Sequence, residues 1–435
     1  MVSLRISRSL FTCLGAAVVF VGFGPAQAQA GEGDVKAPLS LTPQGYFFTR
    51  FERYDGYQPK DVEAHDFVRY RGMLSLTTSP IAINDTYTFQ TRISPQVSNF
   101  WGVGMDTSED PTLFMHEAAM ILNMPGSTLT AGRFEMQYGD DLVIGPSRWS
   151  YIGRAFDGVR LRMQKNADAP WVDLFITQPN EGFVADADNW NAGDAYFAGV
   201  YGNMGALVPG KPDLDLYALA NFAPGISVDG AIPTDGLTRV TLGTRLKGKY
   251  GPGDFRVELG YQTGAKNVEG TDTAVTALQA DAELGVNLPV GKGFRLALEG
   301  FYASGNDPDT SDVDESWDQL FPTTHRALGH MDYLNKRSNL YGSVFHAKLE
   351  PFSFLTIESM THLYWSPYHK WADGTYTTDE YEGAESDLGL TYKIGKGLQL
   401  KTVGGFFWRP AAIYPAVDAD KLRLAYLDLE LQAKF

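Results

Sequence analysis

One cysteine occurs in 435 residues, Cys13, and it lies within the first thirty. A chain that sheds that segment has no thiol, which excludes disulfides and thiol chemistry. Positive charge is scarce: 36 Lys and Arg stand against 52 Asp and Glu, a net of -16. That balance excludes a nucleic-acid binder, which needs a basic face to displace counterions. After residue 30 no apolar run reaches the roughly 18 residues that mark a membrane helix, and mean hydropathy is slightly negative. The seven histidines form no His-Glu-x-x-His motif, and no glycine-rich stretch ends in the Lys-Ser/Thr of a phosphate loop. Ser359 and His362 lie three apart, so on one strand they point to opposite faces and cannot form a nucleophile–base pair. Enzymatic activity is not expected.

What is abundant is aromatic and flexible: 13% aromatics, 46 Gly, 22 Tyr and 26 Phe. That mixture suits an all-β chain with many turns. Residues 1–30 read as a secretory signal peptide, with Arg5 and Arg8 before an apolar core from Leu10 to Phe23. Pro25 follows, then a small-residue cleavage site at Ala28-Gln29-Ala30. Its removal leaves 34 basic against 52 acidic residues, a net of -18. Residues 31–44 read as a short periplasmic leader, with no plug domain expected.

From there the chain alternates. Val240, Leu242 and Leu246 oppose Arg239, Thr241, Arg245 and Lys247. Val159, Leu161 and Met163 oppose Arg160, Arg162 and Gln164; Leu427, Leu429, Leu431 and Phe435 oppose Asp428, Glu430, Gln432 and Lys434. The period is two, that of a strand. Eighteen such strands are expected, starting near Tyr46, Phe67, Tyr87, Thr112, Thr128, Phe156, Trp171, Ala195, Leu214, Leu237, Phe255, Leu278, Phe294, Leu340, Leu355, Asp387, Leu398 and Ala425. Short turns alternate with long polar loops near 102–111, 180–193, 305–336 and 366–385, and the last strand ends on Phe435. Together these predict an all-β, transmembrane, antiparallel up-and-down barrel of about eighteen strands over 45–435. Such a barrel satisfies every backbone group in lipid without leaving an edge. Phe435 would then be read by the barrel-assembly machinery.

Two stretches resemble the alginate export family of outer-membrane barrels. The first is Gly132-Arg133-Phe134-Glu135-Met136-Gln137-Tyr138-Gly139-Asp140, followed by Ile144-Gly145-Pro146-Ser147-Arg148-Trp149 and by Gly153-Arg154-Ala155-Phe156-Asp157-Gly158-Val159-Arg160. The second is Tyr302-Ala303-Ser304-Gly305-Asn306-Asp307, followed by Asp318-Gln319-Leu320-Phe321-Pro322-Thr323-Thr324-His325 and Gly329-His330-Met331-Asp332. Asn306 stands where an acidic residue is expected. The resemblance implies an 18-stranded monomeric barrel in the outer membrane. In the characterised exporter the lumen carries an arginine-rich constriction for an anionic polysaccharide.

Inward positions are rich in arginine, whose planar fork suits carboxylates. Arg133, Arg148, Arg154 and Arg160, in the family-like stretch, are expected to contact a permeant, with Arg69, Arg71, Arg92, Arg239 and Arg245. Asp140, Asp157 and Glu117 are expected to orient the arginines. Basic residues dominate the first strands and acidic ones (Glu258, Asp281, Glu283, Glu299, Asp428, Glu430) the later strands, which predicts a field across the pore. No cofactor or metal is expected. The acids Asp307, Asp309, Asp312, Asp314 and Glu315 read as a solvated loop, with surface calcium binding as the alternative. The expected function is a channel for anionic saccharides or small organic anions; a non-conducting scaffold is the alternative.

Overall fold

The computed structural model describes residues 40–57, 65–102, 112–179, 195–223, 236–268, 271–310, 312–371, 374–411, 413 and 422–435. The expected signal peptide, most of the leader, and the expected loops at 103–111 and 180–193 lie outside these residues.

Eighteen long strands run in chain order. The first six are β1 (Leu41–Asp55), β2 (Asp66–Thr78), β3 (Thr88–Gly102), β4 (Thr112–Met124), β5 (Ser127–Phe134) and β6 (Phe156–Gln164). The next six are β7 (Trp171–Pro179), β8 (Tyr196–Asn203), β9 (Asp213–Ala223), β10 (Leu237–Tyr250), β11 (Gly253–Val268) and β12 (Thr271–Leu288). The last six are β13 (Gly293–Ala303), β14 (Leu340–Phe352), β15 (Leu355–Lys370), β16 (Tyr376–Gly395), β17 (Leu398–Trp408) and β18 (Arg423–Lys434). Each pairs antiparallel with the next, and β18 returns to β1 from Tyr46↔Lys434 to Asp55↔Ala425, so the sheet closes on itself. Among the described residues no helix is long and apolar enough to cross a membrane.

The burial pattern is the reverse of a water-soluble core. On β18, Asp428 and Glu430 are buried while Leu427 and Leu429 are 46% and 48% exposed. A leucine wall facing outward around acids facing inward is stable only if the outside is hydrocarbon. Exposed aromatics mark both rims: Tyr250, Phe352, Phe354 and Phe435 at the end that holds the C-terminus, and Trp101, Tyr302 and Trp408 at the other.

Three boundaries differ from those expected. β1 begins at Leu41, so Leu41–Gln44 belong to the barrel and not to the leader. β12 begins at Thr271 and β16 at Tyr376, seven and eleven residues earlier than the alternation suggests. The expected loop at 366–385 is therefore mostly strand. The physical reason is visible on β16, where Tyr376, Thr377, Thr378 and Asp379 are all exposed. Beyond the lipid belt both faces meet water, so a strand there has no apolar alternation.

Two long connections fold into the barrel. One, at 135–155, joins β5 to β6; the other, at 304–339, joins β13 to β14. The expected outer loop at 305–336 thus lies inside. The two segments pair with each other: Gly145 N donates to Phe321 O (2.8 Å), Phe321 N to Val143 O (3.0 Å) and Thr323 N to Asp141 O (2.9 Å). Met136, Tyr138, Val143 and Ile144 pack with Leu320 and Phe321 against Phe156, Phe175, Phe197 and Tyr201 of the wall. Leu328 and Met331 pack against Tyr54, Phe67, Tyr364 and Phe407. Each large apolar side chain buried this way contributes about 1.5–3 kcal/mol, enough in sum to hold both segments inward.

Candidate functional site: the arginine-lined lumen

The wall grips the first segment by its main chain. Four consecutive carbonyls accept from side chains of β1, β2 and β3. Trp149 O takes Arg50 Nη2 (3.0 Å) and Ser150 O takes Arg71 Nη1 (3.4 Å). Tyr151 O takes Gln96 Nε2 (3.1 Å) and Ser98 Oγ (2.7 Å), and Ile152 O takes Gln96 Nε2 (2.9 Å). Strands 4.7–4.9 Å apart with inward side chains at alternate positions supply such a row of donors. Gly153, at φ +76°, lets the segment lie directly on Arg71: a Cβ there would fall 2.7 Å from Nη1. The Trp149 ring is sandwiched, with the Arg50 guanidinium 3.4 Å from its centre on one side and His325 stacked at 3.6 Å on the other.

Arg154 ties the two segments together. Its Nη1 donates to Gly145 O (3.0 Å), Pro322 O (2.9 Å) and Phe321 O. Burial pushes its guanidinium down to about 10, and no carboxylate lies against it among the described residues. Arg245 holds the first segment from the opposite wall. Its Nε donates to Asp140 Oδ2 (2.8 Å) and its Nη1 to Asp215 (2.9 Å), while Lys247 reaches Asp140 Oδ1 (2.8 Å). Burial alone would raise the Asp140 carboxyl; the bonds from Lys247 and Arg245 bring it down to about 2. Arg239 does the same for the second segment, through Asp314 (3.4 Å) and Asp318. That segment's own Arg337 reaches back to Asp281 and Glu299.

The nine arginines expected to meet a permeant therefore fall into different surroundings. Arg71, Arg154, Arg239 and Arg245 are occupied in fixing the inward segments, and Arg69 is paired to Glu52 (3.1 Å). Arg71 donates to Gln96 Oε1 (2.7 Å) and Ser150 O (3.4 Å), and Arg154 to three backbone carbonyls, partners that no sequence pattern announces. Arg92, Arg148 and Arg160 remain toward water, whereas Arg133 shares the outer face of the sheet with Ala118, Ala131 and Asp157, out of phase with the inward Arg160 and Arg162. Arg148 is the most open, its side chain 59% exposed and its Nη2 2.9 Å from Glu135. Arg133 donates to Asp157 (2.9 Å), Arg92 lies 3.7 Å from Glu117, and Arg160 sits over the Phe134 ring with no ion pair among the described residues. Arg162, next inward on β6, is held by both oxygens of Asp173 and lies over Trp171. Asp157 and Glu117 thus meet the arginines beside them, whereas Asp140 meets those of the far wall.

The later strands carry the acids, as their sequence suggests, but much of that charge is paired. Arg256, Arg295 and Arg337 face Asp254, Asp281, Glu283 and Glu299. Glu283, Glu299 and His346 form the one trio among the described residues close enough to share a cation. Arg256 and Arg295 already lie on its carboxylates. Of the five acids weighed for calcium, Asp314 is turned to Arg239 and Lys266, and Glu315 accepts from Asp307 N and Thr310. Sequence reasoning missed Glu135, His116, Trp149 and Arg337. For Glu135, Trp149 and Arg337 only the apolar content of their segments, Leu142-Val143-Ile144 and Leu320-Phe321, could have pointed inward; His116 lies on β4.

Residues 106–425 match the family described as alginate export. Among solved structures, the fold is similar to that of Pseudomonas aeruginosa OccK2 (OpdF), with TM-score 0.63 and 13% identity over 91% of this chain and 97% of that one. It is also similar to OccK2 in complex with glucuronate (TM-score 0.62, 12% identity, 91% and 98% covered) and to P. aeruginosa OpdK with vanillate (0.61, 10%, 91% and 98%). No curated protein sequence matches. The family match spans most of the barrel just described, with both inward segments, Arg148 and Arg160 inside it, and the chain belongs to the alginate export family of outer-membrane channels.

Proposed function

We propose that this barrel passes small organic anions or anionic saccharides across the outer membrane, along the water-facing arginines of β6 and the first inward segment. The observation that carries this reading is the placement of Arg148, on the first inward segment, and Arg160, on β6, with Arg162 beside it. These side chains are open to the lumen or half-buried, while the neighbouring buried arginines fix the segments beside them. A guanidinium that keeps donors free offers a carboxylate a bidentate partner, and charged rings select permeants by sign. Two of the similar structures are complexes with glucuronate and with vanillate, both carboxylates, which makes this class the first to try. The rim that carries Phe435 faces the periplasm in this reading, with Phe435 available to the assembly machinery. The purified barrel in planar bilayers under a KCl gradient tests the proposal. Stepwise conductance with chloride favoured over potassium, reduced by added glucuronate, is expected. Cation preference would overturn the anion reading, and electrical silence would favour a scaffold.

A further inference from the structure

β3 and β4 pair as Ser94↔Glu117 and then as Pro95↔Met115, so His116 is an extra residue in its strand. Pro95 has no N–H to give the ladder, and the bulge turns two successive side chains, His116 and Glu117, toward the lumen. His116 is buried, with Nε2 2.8 Å from Glu135 Oε1 and 3.5 Å from Arg71 Nη2. A guanidinium can only donate, and the glutamate contact is far shorter, so Nε2 carries the hydrogen and donates it to Glu135. The other oxygen of Glu135 accepts from Arg148 Nη2 at 2.9 Å. Burial would raise the Glu135 carboxyl, but the bonds from His116 and Arg148 hold it below its ordinary value. A line of four side chains therefore runs from the buried wall to the open lumen: Arg71, His116, Glu135, Arg148.

We propose that His116 governs how far Arg148 is available to a passing anion, so that anion selectivity rises as pH falls. The inference rests on the lumen being an anion path. With His116 neutral, Glu135 balances Arg148. A proton on Nδ1 makes an imidazolium that claims the Glu135 charge, leaves Arg148 less compensated and adds one positive charge to the constriction. The charged groups around His116 are Arg71 from β2, Glu117 from its own strand with Arg92 of β3 against it, and Glu135 and Arg148 from the inward segment; Tyr46 of β1 lies against Arg71. Of these side-chain types only an imidazole ordinarily changes charge between pH 5 and 8.

The test is the reversal potential of the full-chain barrel in planar bilayers at pH 8 and pH 5. The chloride-to-potassium permeability ratio is expected to rise about threefold on acidification, the effect of one added charge near a wet path. His116→Gln keeps an N–H for Glu135 but does not titrate, and its ratio should stay flat. Glu135→Gln should show the high ratio at both pH values, and it carries the test alone if glutamine is not tolerated at the bulge. A rise in His116→Gln equal to that of the unmodified protein, a flat unmodified protein, or loss of the rise in His325→Gln would overturn the proposal. A barrel that prefers cations throughout, yet still shifts through His116, would instead overturn the anion path.

Discussion

The seam between the two inward segments and the wall of β6 are both built with arginine, yet they differ in what the arginines touch. At the seam, Arg154 is surrounded by three carbonyl oxygens; on the β6 wall, Arg160 lies over the Phe134 ring and Arg162 over Trp171 with Asp173 against it, each partly open to the lumen. Arg148, six residues before Arg154 in the same segment, belongs with the second set. The difference separates shape from selection. Buried guanidinium groups bonded to the inward segments fix where those segments lie, and half-open ones face the lumen. A residue of one type thus has two tasks, assigned by neighbours distant in sequence.

Arg154→Ala should break the comparison most strongly. Hydrogen bonds from a charged donor are worth about 1.5–3 kcal/mol each, so losing three should let the segments part and raise unit conductance about fivefold with flicker. Single-channel recording checks this, and unchanged conductance would deny the seam its role. Next is Arg160→Ala combined with Arg148→Ala. With the segments still anchored, conductance should hold, while the chloride-to-potassium permeability ratio falls about threefold, read from the reversal potential. Gln96→Ala should act between the two sets. It removes the bonds to Ile152 O and to Tyr151 O, which keeps Ser98 Oγ, and, at about 1 kcal/mol for each neutral bond, should raise conductance by less than a factor of about two with selectivity intact. The smallest effect is on pH. The Asp140 carboxyl is depressed to about 2 in the folded chain, so its hold on Arg245 and Lys247 is fully present above the ordinary carboxylate range. That hold weakens only as pH falls through about 2. Heat-modified migration of the barrel in detergent should lose stability there, and Asp140→Asn should remove that step.

How much of this the chain discloses depends on which solvent each face meets. All eighteen strands are legible where lipid lies outside and water inside, because that contrast imposes a period of two. The upper part of β16 is not, since Thr377, Thr378 and Asp379 have water on both faces. The inward segments look like loops because their main chains are irregular. Yet Val143, Ile144, Phe321 and Met331 are too apolar for a surface, and all but the partly buried Phe321 are among the most buried residues of the structure. In the lumen, alternation puts Arg92 and Arg160 on inward faces, but side-chain type alone does not show that Arg133, paired with Asp157, sits on the outer one. It cannot distinguish Arg148 and Arg160 from Arg154, whose partners are carbonyls, nor show that Asp140 would meet Arg245, 105 positions away. His116 is hidden for a different reason: the bulge opposite Pro95 shifts the strand's phase by one, a change that strict alternation does not foresee.

The clasp on residues 149–152 has an evolutionary corollary. Because Arg50, Arg71, Gln96 and Ser98 hold carbonyl oxygens, which every amino acid possesses, the letters at 148, 150, 151 and 152 can be rewritten while the narrow part of the passage keeps its place. Related barrels could thereby acquire new cargo preferences by point substitution at the tip alone, the supporting cylinder remaining untouched.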